Sequence, residues 1–201
     1  MSSKEGTDLS RRRFLTATTS VVGAVGGAVA LVPFISSMQP SARAQAAGAP
    51  VQVDISQLEP GGRLTVEWRG KPVWIVRRTK ENLKDLDDLA AQLRDPDSEI
   101  SDQQPTYAQN PIRARKENPE IAVLIGICTH LGCSPTYRPD IGPADLGADW
   151  KGGFFCPCHG SRFDLAGRVY SGVPAPTNLP VPPYAYLNAT TLLIGDDKES
   201  A

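Results

Sequence analysis

The chain has 201 residues, with 21 basic and 22 acidic side chains and a formal net charge of −1. That balance excludes the broad cationic footprint of a nucleic-acid binder, and the length allows one ordinary domain plus an appendage. Eighteen glycines and 18 prolines point away from a helical bundle and towards short strands joined by turns.

Residues 1–13 are polar and run into Ser10-Arg11-Arg12-Arg13-Phe14-Leu15. Arginines in this setting, followed by an apolar run, resemble a twin-arginine export signal, an address read by a receptor. From Phe14 to Met38 no residue is charged. A helix of that length rises about 37 Å, more than the ~30 Å hydrocarbon core and longer than a signal-peptide core. The expectation is a retained single-pass transmembrane helix over 14–38. The arginines hold its N-terminus in the cytoplasm, so the rest of the chain lies outside. Gly23 and Gly27 offer a small-residue face to a neighbouring helix, and Pro33 marks a kink. Ala42-Arg43-Ala44 and Ala44-Gln45-Ala46 have the pattern of cleavage sites; cleavage there would release a soluble protein, and the length of the apolar run argues for retention. Residues 39–50 are Ala-rich with one charge and read as a flexible hinge. Extended they reach about 40 Å, as helix about 18 Å.

The remainder, 51–201, reads as a mainly β, antiparallel domain with one short helix. Val51–Leu58 alternates and ends in Glu59-Pro60-Gly61-Gly62, a strand and a turn. Arg63–Trp68 and Pro72–Val76 are the next strands. Thr79 caps a helix carrying Leu83, Leu86, Leu89 and Leu93, with Asp85, Asp87 and Asp88 on its solvated side. Residues 95–119 read as loop. Ile121–Ile127 is an apolar run of strand length, 134–153 a long loop without an assigned role, 172–184 a proline-rich loop, and Leu192–Ile194 a closing strand.

Two boxes hold every cysteine and histidine of the chain: Cys128-Thr129-His130-Leu131-Gly132-Cys133 and Cys156-Pro157-Cys158-His159-Gly160-Ser161. Zinc bound by two thiolates and two imidazoles leaves two cysteines without use and calls for reducing surroundings. Two disulfides leave both histidines as coincidence. A [2Fe–2S] cluster with two thiolates on one iron and two imidazoles on the other uses every residue, because the two spare cysteines can pair with each other outside the cytoplasm. Replacing two thiolates by neutral imidazoles raises the potential from about −400 mV into the range of about −150 to +300 mV. Reduction also favours protonation of a ligand imidazole. The residues alone do not separate Cys156 from Cys158 as ligand.

The boxes, the twin-arginine anchor, the Ala-rich hinge, Gly-Lys-Pro-Val-Trp-Ile at 70–75 and Gly172-Val173-Pro174-Ala175-Pro176 together resemble the Rieske iron–sulfur proteins of bacterial cytochrome bc1 complexes. The resemblance implies a Rieske-type β-sandwich with a cluster-binding subdomain at about 126–178. It implies Cys128, Cys156, His130 and His159 as ligands of one [2Fe–2S] cluster, a Cys133–Cys158 disulfide, and Ser161 as a hydrogen-bond donor to the cluster. His159 would face ubiquinol, and Leu131 with Pro174 would form the apolar docking tip. The implied setting is the bacterial inner membrane, with the globular domain periplasmic. There the chain would pass electrons from ubiquinol to cytochrome c1, anchored to cytochrome b in a dimeric complex and contributing to proton translocation. A tyrosine is expected two residues after Ser161; this chain has Phe163, which predicts a lower potential. The alternatives are the electron-transfer subunit of another periplasmic oxidoreductase and an oxygenase Rieske domain. Cys133, Cys158 and the export signal argue against the oxygenase.

Overall fold

The computed structural model describes residues 8–197. Residues 1–7 of the expected cytoplasmic segment and 198–201 of the expected globular domain lie outside the described residues. The chain divides into two units, 1–46 and 47–201.

In the first unit, α1 (Leu9–Ser37) is one continuous helix of 29 residues, none of them buried. It starts five residues earlier than the apolar run suggests. The Asp8 carboxylate caps it, accepting from the backbone N–H of Ser10 and Arg11, and a capped start lets the arginines extend the helix. Arg11–Arg13 therefore form its first turns instead of flanking it. The helix rises about 43 Å, and its most apolar 18-residue window has a mean hydropathy of 1.8. Pro33 sits inside it without ending it. The expected hinge is partly helical: α2 spans Ala42–Ala47, begun by the Ser41 hydroxyl, which accepts from Ala44 N–H at 3.2 Å.

The second unit is built from three antiparallel three-stranded sheets. The first orders β1 (Val51–Asp54), β9 (Thr191–Ile194) and β8 (Tyr184–Asn188); the second orders β2 (Arg63–Trp68), β3 (Lys71–Arg77) and β4 (Ile121–Ile125). The third orders β5 (Thr136–Arg138), β6 (Gly153–Phe155) and β7 (Arg162–Phe163). β2 alternates exposed and part-buried positions, as an edge strand does, whereas Val73–Val76 of central β3 are buried throughout. One apolar core draws on all three sheets, with Val53, Ile194 and Tyr184 from the first, Trp74, Ile75 and Leu124 from the second, and Phe154 and Phe163 from the third.

Several boundaries move for local reasons. β1 stops at Asp54, whose carboxylate accepts from Ser56 N–H and turns the chain. α3 (Lys80–Asp88) starts under a reciprocal capping box of Thr79 and Asn82. It ends at Asp88, so Leu89 and Leu93 belong to the cap and to a following 3-10 turn. Asp87 and Asp88 are exposed, whereas Asp85 faces Lys151 at 3.7 Å. β4 ends at Ile125, and the next residue, Gly126, crosses the Trp74 indole so closely that a Cβ would lie 2.2 Å from the ring.

The irregular stretch 95–119 is held by buried arginines. Arg78 donates to Ile112 O (2.7 Å) and Pro119 O (2.5 Å). Arg113 donates to Leu179 O (2.6 Å) and Gln104 Oε1 (3.0 Å). A planar fork of donors suits several carbonyls at once.

Candidate metal centre

β4 and β6 each deliver one box at their ends, and the two boxes are structural duplicates. In the first, Cys128 N–H donates to Cys133 O (2.7 Å) and Gly132 N–H to Cys128 O (3.0 Å). In the second, Cys156 N–H donates to Ser161 O (2.8 Å) and Gly160 N–H to Cys156 O (2.9 Å). Each is thus a six-residue loop closed by the same two bonds. The fifth residue takes a left-handed conformation, φ 83° at Gly132 and 75° at Gly160, which glycine alone adopts freely.

A disulfide joins Cys133 to Cys158. Cys128 and Cys156 remain as free, buried thiols. The sulfurs of Cys133, Cys156 and Cys158 lie within 4.8 Å of one another. Two of the three are bonded to each other, so this trio is not a ligand set; it shows that the disulfide packs against the Cys156 thiol. The His130 and His159 rings meet edge to face with centroids 4.8 Å apart. His130 is half-buried and His159 exposed.

The donor set fits an iron–sulfur group. Burial pushes the Cys128 thiol up, and the neighbouring Cys156 adds to the rise, while the His130 backbone N–H and the Ser161 hydroxyl favour its thiolate. A thiol held out of water resists ionisation unless cationic metal lies against it. Two buried sulfurs and two more exposed imidazoles then form an inner and an outer pair of donors.

A third segment, 172–183, is tied to both boxes. Thr129 Oγ1 donates to Thr177 O (2.7 Å), and the buried Ser161 Oγ accepts from Ala175 N–H (3.0 Å). Accepting there leaves the Ser161 proton free for sulfur. Arg94 donates to Val173 O and Pro176 O, both at 3.3 Å. Leu131 is 72% exposed and Pro174 is exposed beside His159. Phe163 is fully buried in the core cluster that includes Cys128 and Cys156. The roles of Thr129 and Arg94 carry no signal in the sequence, since their contacts join residues far apart along the chain.

Residues 50–184 match the family described as Rieske [2Fe-2S] domain. Residues 1–41 match the "Ubiquitinol-cytochrome C reductase Fe-S subunit TAT signal". The chain is 64% identical to the ubiquinol-cytochrome c reductase iron-sulfur subunit of Allochromatium vinosum, covering 99% of this chain and 95% of that one. This chain belongs to the family of Rieske iron–sulfur subunits. It is also 45% identical to the corresponding subunit of Bradyrhizobium diazoefficiens, over 92% of this chain and 94% of the relative. Among solved structures it is similar to a chain of "Hyperthermophilic respiratory Complex III", with TM-score 0.48 and 28% identity over 88% of this chain and 98% of that one. The cofactor of the Rieske domain is the [2Fe–2S] cluster, and the globular unit is mainly antiparallel β, as the sequence reading expects.

Proposed function

We propose that this Rieske protein is the electron-transfer subunit of a ubiquinol–cytochrome c reductase, a proton-translocating complex. The observation that carries the reading is the pair of twin loops, stapled by Cys133–Cys158, which presents two buried thiols and two adjacent imidazoles. Cys128 and Cys156 would hold one iron of the cluster, and His130 and His159 the other. When bound, the cluster supplies a one-electron acceptor whose potential lies in the histidine-ligated range of about −150 to +300 mV.

The chain's own residues do the rest. His159, exposed at the tip, accepts a hydrogen bond from ubiquinol at its ring nitrogen not used as a ligand, and takes the proton there. Leu131 and Pro174 give the tip an apolar rim that seats against the quinol pocket and excludes water. Ser161 and the Cys133–Cys158 bond hold the two loops in one geometry. The electron's destination is cytochrome c1.

The setting follows from the first unit. α1 is long and apolar enough to cross a membrane. The three arginines of its first turns keep residues 1–13 cytoplasmic, and the span anchors the subunit to cytochrome b in the bacterial inner membrane. Residues 39–50 act as the hinge, helical over Ala42–Ala47 and irregular on either side. Residues 51–201 lie in the periplasm, with 126–178 as the cluster-binding part, within a dimeric complex.

Redox titration of the purified complex, followed by electron paramagnetic resonance and repeated across pH, tests this. The expected potential lies between about −150 and +300 mV and falls at alkaline pH by up to about 59 mV per unit for one proton per electron. A potential near −400 mV, or one flat with pH, overturns the reading. A mature N-terminus near Gln45 in mass spectrometry would remove the membrane anchor.

A further inference from the structure

We propose that Arg94 is a positioning residue for the cluster, acting through the segment 172–177 and the Ser161 hydroxyl. This deepens the electron-transfer reading above and rests on its cluster. Segment 172–177 lies against both boxes, yet a strand ladder cannot hold it there. Pro174 and Pro176 carry no backbone N–H, and Gly172 has a φ of 76°. Its ties run to side chains instead. Ala175 N–H donates to Ser161 Oγ (3.0 Å), and Thr177 O accepts from Thr129 Oγ1 (2.7 Å). Val173 O and Pro176 O both accept from Arg94, through Nη2 and Nη1, each at 3.3 Å. One guanidinium thus brackets Pro174-Ala175, the stretch whose N–H reaches Ser161.

The Arg94 side chain is exposed, but its backbone is fixed. Arg94 N–H donates to Val169 O (3.0 Å), Ser171 N–H donates to Gln92 O (2.8 Å), and Leu93 bridges Tyr170 in antiparallel register. Leu93 and Tyr170 are buried in one satellite core. Residues 92–94 therefore run as a short strand beside 169–171. From that base the guanidinium reaches carbonyls 79 and 82 residues further along the chain.

The consequence lies at Ser161. A hydroxyl that accepts a hydrogen bond becomes a stronger donor, and with its oxygen taken by Ala175 its proton must point elsewhere. The Ser161 hydroxyl favours the Cys128 thiolate, so the proton is directed at ligand sulfur. A donor to sulfur stabilises the reduced, more negative cluster. Without Arg94 the Val173–Pro176 stretch loses two of its side-chain ties, Ala175 N–H drifts from Ser161, and the hydroxyl is free to turn. Arg94 thus tunes the cluster without touching it.

Redox titration of the whole purified complex with chemical mediators, read by electron paramagnetic resonance, tests this without quinol or cytochrome c1. Arg94→Gln should hold the electron about threefold more weakly, a midpoint about 28 mV lower for one electron. Arg94→Lys keeps the charge but not the planar fork, and its midpoint should fall at least half as far. Should Arg94→Gln lose its cluster, Arg94→Lys carries the same comparison. In a Ser161→Ala background Arg94→Gln should change the midpoint no further, because the two substitutions break one chain of contacts. Hydrogen exchange in the peptide covering 172–178 should quicken about tenfold in Arg94→Gln. A wild-type midpoint in Arg94→Lys, or an equal fall with and without the Ser161 hydroxyl, would assign the effect to charge alone and overturn the proposal. An unchanged midpoint or unchanged exchange in Arg94→Gln overturns it as well. Failure of quinol to reduce a wild-type cluster of the expected midpoint would instead sink the electron-transfer reading and leave this proposal standing.

Discussion

Phe163 separates packing from redox tuning at a single side chain. Its ring is fully buried in the core that holds Cys128 and Cys156, and its strand pairs with Phe154. The family resemblance implies a tyrosine at this position, whose hydroxyl would give a neighbouring sulfur one more donor. Phe163→Tyr changes little else, because the ring is retained. A hydrogen bond that favours the reduced, more negative state by about 1 kcal/mol corresponds to a rise on the order of 40 mV for one electron. Redox titration of the variant checks this; an unchanged midpoint would mean the hydroxyl finds no sulfur. Ser161 illustrates the other half of the argument. Its oxygen is already engaged by Ala175 N–H, so its proton can serve only one more partner, and Cys128 is the partner that benefits.

At the scale of elements, the turn 164–168 shows why local pattern is a partial guide. Asp164 accepts from the N–H groups of Ala166 (2.9 Å) and Arg168 (2.8 Å) and from Arg168 Nε (2.7 Å), all buried. Arg168 in turn donates to Leu86 O (2.6 Å) and Pro96 O (3.1 Å), which fastens β7 to the end of α3. Asp164→Asn leaves a buried guanidinium without its counter-charge, a loss on the order of 3–5 kcal/mol. Denaturant unfolding of the variant should show it, and a change below about 1 kcal/mol would mean the backbone acceptors alone satisfy Arg168. Nothing in the sequence marks Asp164 or Arg168 as buried, since charged residues are rarely so. By contrast β2, β3 and the start of α3 were readable, because alternation, an apolar run and a Thr cap are local signals. The strands β5, β6 and β7 have three, three and two residues, too short for any period to show. The boxes were readable because the chemistry of their six side chains is rare. The residues alone left Cys156 and Cys158 open; the family resemblance implied Cys158 as the partner of Cys133, and that is the bond the fold contains.

Across the whole molecule, buried polar groups on non-local contacts hold the irregular segments, and this gives the protein a characteristic response to alkali. All five tyrosines have their ionisation pushed up, with burial the largest cause in each case. A raised folded-state value means that the stability is fully present below the unfolded value of about 10 and is lost as pH rises above it. Tyr184, fully buried, contributes up to about 1.4 kcal/mol per pH unit in that interval. Burial also pushes Arg78 and Arg113 down to about 10, which acts in the opposite sense, because the folded form then gives up those protons first. Two such arginines stand against five tyrosines, and both arginines hold backbone carbonyls that favour the charged form. Net stability should therefore be flat through neutrality and fall above about pH 10. A spectrophotometric titration of the native protein should show no tyrosinate absorbance until near-ultraviolet circular dichroism is lost, and then both changes together. Gradual ionisation centred near pH 10 with the dichroism intact would show that these hydroxyls are reached by water in the folded state, and that the tyrosines do not set the alkaline limit of the fold.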